Sequence, residues 1–165
     1  MDVKDFDRTH AVNERGVWLC CKYALKQMMA QEPREANARG EKTRGWIVNA
    51  ASMLGLIGLA HGNSYVPGTL TSIRIRPWAD RLTLLSQSIA KHAVVGMTKQ
   101  MAIDYAKDRI HINCLCPGFV ESPMIAALTS EAQAKEGLAA AHPWNALGTP
   151  EDVAGAALFL CSDES

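Results

Sequence analysis

Three short stretches of the sequence carry side chains that can hold a polar ligand or move a proton, and a fourth ends a neighbouring predicted strand. Ser52 follows a predicted strand in the segment N-A-A-S-M-L-G, and Tyr65 comes 13 positions later. Lys91 lies near the start of a predicted helix, and Pro117 with Gly118 ends a second predicted strand. Open α/β sheets bind ligands beyond the carboxyl ends of their strands, where Ser52 is expected. Hydroxyl, phenol and ammonium groups at such an edge can orient a polar substrate and take part in acid–base chemistry.

The composition is that of a globular protein without a dominant charge. Hydrophobic residues make up 48% and charged residues 21% of the 165 residues, which is typical of one domain with a sizeable core. The 17 basic and 17 acidic residues cancel, which argues against a general nucleic-acid or anionic-membrane binder. No apolar run approaches the roughly 18 residues of a membrane span, and the N-terminus has no apolar signal core, so a cytoplasmic location is expected.

The cysteines and histidines offer a weaker candidate site. Five cysteines without a signal peptide favour reduced thiols over a disulfide framework. Cys114 and Cys116 would share one face of a strand, which is compatible with a metal pair. No His or Cys follows at ligand spacing, so we favour buried apolar cysteines and predict no metal site. His61 and His92 have no partner at a recognisable spacing and are expected to be structural or exposed.

Two long helices are expected to flank the chemistry-bearing stretches. Apolar residues near helical spacing predict one helix from about 5 to 31, followed by a charged loop over 32–44. A second helix is predicted over 88–107. Its apolar side consists of Ala90, Val94, Met97, Met101 and Tyr105.

The pattern near the end of the sequence predicts a further helix. Thr149 can cap it, Pro150 suits its first position, and Asp152 completes a capping box. Its expected core face consists of Ala154, Ala157, Leu158 and Cys161.

Two short apolar runs, 45–51 and 110–116, predict strands between the helices. The first run does not alternate, which suits a strand covered on both faces in a parallel sheet. Alternation of helices with buried strands predicts an α/β fold, here a partial doubly wound parallel sheet.

Taken together, these stretches resemble the short-chain dehydrogenase/reductase family. That family carries a serine in N-x-x-S-x-x-G, a tyrosine 13 residues later in Y-x-x-x-K, and a later P-G-x-x-x-T element. The matching residues here are Ser52, Tyr65, Lys91, Pro117 and Gly118, and Asn13 matches the family's helix asparagine. The resemblance covers nearly the whole chain outside one insert. It implies that residues 1–165 are the C-terminal portion of one Rossmann-like NAD(P)-binding domain.

The resemblance implies an NAD(P)-dependent oxidoreductase that interconverts an alcohol and a ketone by hydride transfer. Tyr65 would be the acid/base, and the Lys91 ammonium would lower the tyrosine pKa from its usual value of about 10. Both residues would also contact the cofactor, either NAD or NADP. Ser52 would hydrogen-bond the substrate oxygen, and Asn13 would anchor a proton-relaying water. The remaining expected cofactor contacts are Pro117, Gly118, Val120 and Ser122, the last replacing the family's usual threonine.

The spacing between the tyrosine and the lysine departs from the family pattern. Lys91 follows Tyr65 by 26 positions, and Gln87, which cannot act as an acid/base, stands four positions before Lys91. Removing the 22 residues 66–87 would join Tyr65 to Ser88 and restore Y-x-x-x-K. We interpret 66–87 as an intron translated in frame, because its ends can be encoded as GT and AG. The alternative is a real surface loop, since long insertions cost little closure entropy.

The resemblance also implies that parts of the family domain lie outside this chain. No glycine-rich strand–turn–helix that could hold a pyrophosphate precedes Asp5, and the family's last strand would follow Ser165. We therefore expect marginal stability, aggregation, impaired or absent activity, and no measurable binding of NADH or NADPH by the chain as written.

The expected partners are a small alcohol or carbonyl substrate and other copies of the protein. Substrate choice would be set mainly by residues 125–147, and the two long helices would form a homo-oligomer. The alternative function is a non-catalytic remnant that pairs with an intact paralogue through those helices.

Overall fold

The computed structural model describes residues 2–36, 40–58, 79–128 and 132–164. Tyr65, His61 and the stretch 66–78 of the predicted insert lie outside the described residues. In the described part of the chain, no helix combines the length and apolarity needed to span a bilayer.

The predicted N-terminal helix is a continuous helical segment with a π-helical turn in its middle. Helix α1 (Val3–His10) runs into the π-turn Ala11–Arg15 and then into α2 (Gly16–Ala30). The segment closely matches the predicted range, but its periodicity did not reveal the π-turn. Single π-turns inside α-helices are frequent at functional sites, and this one contains Asn13.

Both predicted strands are present and pair in parallel. β3 (Gly45–Ala50) and β4 (Ile110–Leu115) run in register from Gly45 opposite Ile110 to Ala50 opposite Leu115. Each ends one residue earlier than predicted. Helix α3 (Ala79–Tyr105) precedes β4 and packs against it, which confirms the α/β class.

The predicted loop over 32–44 was wrong in part. β1 (Arg34–Glu35) and β2 (Lys42–Thr43) form a short antiparallel hairpin. The Thr43 side chain is buried, and its hydroxyl donates to Arg109 O at 3.0 Å and accepts from Gly45 N at 3.0 Å. The contact with Arg109 comes from a distant part of the chain, so the charged composition of the segment did not predict it.

Helix α3 begins earlier than predicted. It starts at Ala79 instead of residue 88, so the end of the predicted insert, 79–87, is helical and continuous with the rest of α3. The predicted apolar side is correct: Ala90 and Val94 are fully buried, and Met97 packs beside Val94. Met101 and Tyr105 pack on the cluster formed by Cys21, Leu25, Ile47, Ile110 and Ile112.

The last helix begins as predicted but presents a different face. α6 (Pro150–Leu160) starts with a complete capping box between Thr149 and Asp152. Leu158 is 74% exposed, and Ala154 and Cys161 are also exposed. Ala157 is half-buried as predicted, but its half-buried neighbours are Val153 and Leu160. Because this helix is apolar on most sides, its periodicity could not indicate which side meets β4.

The capping box gives a prediction about pH. The Thr149 N–H and then its hydroxyl donate to Asp152 Oδ2 at 2.7 and 2.9 Å, and these bonds lower the pKa of the Asp152 carboxyl. Because the folded-state pKa is lowered, this stabilisation is present above the unfolded value of 3.8 and disappears as the pH falls through the folded value.

We expect Thr149→Val to raise the Asp152 pKa part of the way toward its unfolded value, since the bond from the backbone N–H of residue 149 remains. Carboxyl-carbon NMR titration measures the change. Thr149→Ser should leave the pKa unchanged, and an equal rise in both variants would contradict the assignment.

The surface predicts low stability for the isolated chain. Large apolar side chains are widely exposed, among them Val3, Ile103, Trp144 and Leu158. Within the described residues the parallel sheet has two strands, whose outer edges carry unpaired backbone groups. We expect a broad thermal transition with aggregation in calorimetry. A sharp, reversible, cooperative transition of the monomer would contradict this expectation.

Candidate active site

Ser52 lies directly beyond the carboxyl end of β3, as predicted. Its Oγ accepts a hydrogen bond from Leu54 N at 3.2 Å and caps the 3₁₀ turn Met53–Gly55. The side chain is half-buried. Because Oγ serves the backbone as an acceptor, the hydroxyl proton can still be donated to a ligand oxygen.

Lys91 lies beside the same turn. Its Nζ donates to Ala50 O, at the end of β3, at 3.4 Å. Ser88, one turn earlier on α3, donates its hydroxyl to Leu54 O at 3.0 Å. These two bonds join α3 to the end of β3 and to residues 52–55, the Ser52 turn. The structure therefore brings Ser52 and Lys91 to one edge of the sheet.

Gly55 explains the glycine of the N-x-x-S-x-x-G motif. A Cβ at this position would lie 2.7 Å from Lys91 O and 3.0 Å from Lys91 C. Only a glycine lets the turn approach the α3 backbone this closely. The motif therefore encodes the contact between the serine turn and the lysine helix, which the sequence pattern alone did not reveal.

The position one turn before Lys91 is occupied by Gln87. Both residues lie on α3, four positions apart and therefore on one face, and the Gln87 side chain is exposed. An amide cannot supply or accept the proton that the chemistry requires. Tyr65 lies outside the described residues, so its predicted place beside Lys91 stays a prediction.

The Pro117–Gly118 loop meets the Ser52 turn from the other strand. Met53 N donates to Pro117 O at 2.8 Å, so the two chain segments that follow β3 and β4 are joined. Further along, Val120 pairs with Gly148 through an isolated parallel bridge. Ser122 Oγ accepts from Ile125 N at 3.2 Å at the start of helix α4 (Pro123–Leu128). A cavity of about 320 Å³ borders Pro117, Gly118 and Val120.

Asn13 lies in the π-turn Ala11–Arg15, between α1 and α2. It is half-buried in the π-turn, which packs against α3, and its Nδ2 donates to Thr9 O at 3.1 Å. No hydrogen bond joins it to Ser52 or Lys91, so its predicted role as a water anchor stays a prediction.

Asn49, the first residue of the serine motif, has a structural task that was not predicted. It is 7% exposed, accepts from Cys21 Sγ at 3.3 Å and donates to Thr98 Oγ1 at 2.9 Å. Burial raises the pKa of the Cys21 thiol, which keeps it protonated as a donor. The network ties β3 to α2 and α3 and so holds the strand that ends at Ser52. The available signal was a polar residue inside an apolar strand, since buried polar groups need partners.

Cys114 and Cys116 pack as partly buried apolar side chains. They lie against the cluster of Ala51, Val94 and Val95. Burial, and then the neighbouring Cys116, raises the pKa of the Cys114 thiol. Among the residues whose positions are described, no three metal-ligating side chains come together.

Comparisons with known proteins identify the family of the chain. The family model described as enoyl-(acyl carrier protein) reductase matches residues 69–165, a range that includes part of the predicted insert. Short-chain dehydrogenase fogB of Aspergillus ruber is 32% identical over 176 residues, covering 100% of this chain and 54% of the relative. Cis-4-hydroxycyclohexanecarboxylate dehydrogenase of Sinomonas cyclohexanicum is 32% identical over 163 residues, covering 99% of this chain and 51% of the relative.

Solved structures show the same fold. ElxO with NADP bound superimposes with a TM-score of 0.73 at 26% identity, covering 100% of this chain and 54% of that one. A 3-hydroxyacyl-CoA dehydrogenase type-2 from Mycobacterium avium gives a TM-score of 0.73 at 25% identity, covering 97% and 51%. The chain spans about half the length of the curated relatives it matches. The parallel strands, the serine turn seated on the lysine helix and these similarities lead to one conclusion: the chain belongs to the short-chain dehydrogenase/reductase family.

Proposed function

We propose that the protein is an NAD(P)-dependent oxidoreductase that interconverts an alcohol and a ketone by hydride transfer. The observation that carries this proposal is the meeting of three elements at the carboxyl ends of β3 and β4: the Ser52 turn, Lys91 and the Pro117–Gly118 loop. Relatives named for oxidation of secondary alcohols, such as the Sinomonas enzyme, support the substrate class.

The residues at this edge can stabilise the two negative charges of the proposed reaction, one on the substrate oxygen and one on the tyrosine phenolate. Ser52 can donate its hydroxyl proton to the substrate oxygen and so stabilise the alkoxide that develops there. The Lys91 ammonium lies at the end of β3, where it favours the phenolate of a neighbouring tyrosine and can hold a ribose hydroxyl. A nicotinamide cofactor bound at this edge would supply or accept the hydride.

The cofactor's own place is proposed from the loop that follows β4. Pro117, Gly118, Val120 and Ser122 would lie beside the nicotinamide. The first three border a cavity of about 320 Å³. The loop is joined to the Ser52 turn by the bond from Met53 N to Pro117 O. Ser122 keeps the hydroxyl of the threonine that it replaces.

We also propose that residues 66–87 are not part of the functional enzyme, so the chain as written is impaired or inactive. From Ser88 onward, α3 is seated on the Ser52 turn, which supports the family register after the insert. Gln87 stands where the tyrosine is needed, which supports a loss of acid–base function in the presence of the insert.

A hybrid enzyme tests the proposal. The hybrid is the Sinomonas dehydrogenase in which this chain replaces the matched half. The segment of the Sinomonas enzyme that corresponds to 125–147 is kept, so that the hybrid still accepts the substrate of that enzyme. One hybrid retains 66–87 and the other lacks it. With NAD⁺ and NADP⁺ each supplied, we expect oxidation of cis-4-hydroxycyclohexanecarboxylate only by the hybrid lacking 66–87. Fluorescence titration checks that both hybrids bind the cofactor, and a cofactor-binding hybrid without turnover in the deleted form would contradict the proposal.

A second function, association through the long helices, is favoured by the surface of α2 and α3. Trp18, Met29 and Ile103 are exposed there, and a groove of about 340 Å³ lies between the two helices. We infer that this surface forms the contact of a homo-oligomer or of a complex with an intact paralogue.

Sedimentation velocity of the chain, with and without a full-length relative, tests this association. We expect Ile103→Glu to weaken it, because the substitution replaces an exposed apolar side chain of this surface with a charged group that must lose water in the contact. Leu158→Glu on α6 is the matched control, since Leu158 and Ile103 are both 74% exposed. Equal behaviour of the two variants would argue against the α2–α3 surface.

A further inference from the structure

His142 makes two hydrogen bonds that determine its protonation. It follows helix α5 (Ala132–Ala140), within the segment expected to control substrate choice. Its Nε2 lies 3.0 Å from Phe119 N, and its Nδ1 lies 3.1 Å from Leu138 O. A backbone N–H can only donate and a carbonyl oxygen can only accept, so the imidazole is neutral with its proton on Nδ1.

Gly118 makes room for this imidazole. A Cβ at Gly118 would overlap His142 Nε2, so any other residue would push the ring off the loop. The Phe119 ring meets the imidazole edge-on, with centroids 5.5 Å apart. The glycine of the P-G element therefore permits a specific side-chain contact in addition to forming a turn.

Residues 117–121 form a loop that is hydrogen-bonded both to the segment 135–148 and to the Ser52 turn. Phe119 O accepts from Gly148 N at 3.0 Å, and Glu121 N donates to Gly148 O at 2.9 Å. Lys135 Nζ lies 2.8 Å from Glu121 Oε1. Toward the sheet, Pro117 O accepts from Met53 N. The loop 117–121 is thus held between the Ser52 turn and the segment 135–148, and His142 is the side chain that accepts one of its N–H groups.

We propose that His142 is a positioning residue that holds the loop 117–121 in the shape required beside the nicotinamide, and so couples the substrate-side segment to the cofactor side. The inference rests on the proposed function, because that function assigns the loop to the nicotinamide. The acting atom is Nε2 as an acceptor from Phe119 N–H.

Two substitutions separate the two nitrogens of the ring. In His142→Gln, the side-chain oxygen can reach the place of Nε2 and accept from Phe119 N–H. In His142→Asn, the shorter amide can replace Nδ1 as a donor to Leu138 O but does not reach Phe119 N–H. A merely space-filling role would be damaged by both changes, whereas positioning through Nε2 is rescued by glutamine alone.

The test is hydrogen–deuterium exchange of the full chain at micromolar concentration, read by mass spectrometry on the peptide containing 117–121. We expect exchange on the order of tenfold faster in His142→Asn, which corresponds to one lost hydrogen bond, and near-unchanged exchange in His142→Gln. Unchanged exchange of the β4 peptide shows that the variants remain folded.

A nitrogen NMR spectrum of the histidine-labelled, unsubstituted chain provides the second measurement and needs no variant. A proton on Nδ1 of His142 is expected, and a proton on Nε2 would overturn the inference. Equal exchange in the two variants, whether both fast or both slow, would also overturn it. Neither readout involves turnover, so failure here is distinct from failure of the hybrid enzyme.

Discussion

In the hybrid enzyme lacking 66–87, Tyr65→Phe should lower kcat by about 10²–10⁴-fold, the usual contribution of a positioned general acid–base group. The deletion joins Tyr65 to Ser88, and Ser88 is already seated on the Ser52 turn through Leu54 O. The tyrosine then takes the helical position that Gln87 holds in the intact chain, four residues before Lys91. Phenylalanine fills the same space without the phenol, so cofactor affinity from fluorescence titration should stay nearly unchanged. A Tyr65→Phe hybrid that retains full turnover would remove this residue from the mechanism.

The pH profile of the same hybrid separates the tyrosine from the lysine. The Lys91 ammonium favours the phenolate, so Lys91→Met should raise the tyrosine pKa toward its ordinary value of about 10. Alcohol oxidation needs the phenolate, and its rate should therefore shift to higher pH in this variant. Lys99→Met is the control, because Lys99 is an exposed lysine on the same helix. If Lys91→Met and Lys99→Met give the same profile, Lys91 does not tune the tyrosine.

Gly55→Ala should be the most damaging small substitution at this edge of the sheet. The added methyl group would lie 2.7 Å from Lys91 O, 3.0 Å from Lys91 C and 3.0 Å from Val95 Cγ2. Two of the three obstacles are backbone atoms of a helix, which cannot turn away as a side chain can. Overpacking of this kind typically costs about 1–3 kcal/mol. It would also separate the Ser52 turn from Lys91, so kcat should fall together with stability.

A matched glycine makes the Gly55 experiment specific. Gly58 lies three residues further on, and a Cβ there would meet no atom of the described residues within 4 Å. In the hybrid lacking 66–87, thermal unfolding should show a lower Tm for Gly55→Ala and an unchanged Tm for Gly58→Ala. Adding Val95→Ala to the Gly55→Ala variant should not restore its Tm, because the backbone of α3 still obstructs the added methyl group. Equal Tm values for the two glycine variants would mean that the turn does not depend on this close approach.

The amino-acid sequence by itself determined the secondary structure near the site and the order of the functional groups. Parallel strands close to 45–51 and 110–116, the apolar side of α3 and the capping box at Thr149 were predicted correctly. These features depend on periodicity and on contacts between residues close in sequence, which a linear pattern records. The motif order also led to the family.

Only the tertiary structure decided which of these residues touch and which faces are covered. The contact of Gly55 with Lys91, the Asn49 network and the His142–Phe119 bond each join residues far apart in sequence. The side of α6 that meets β4 and the burial of Thr43 were wrong or missed for the same reason. A residue type and its spacing describe what a side chain can do, but its partner depends on how distant elements approach each other. That approach is set by the packing of the whole fold and leaves no periodic trace in the chain.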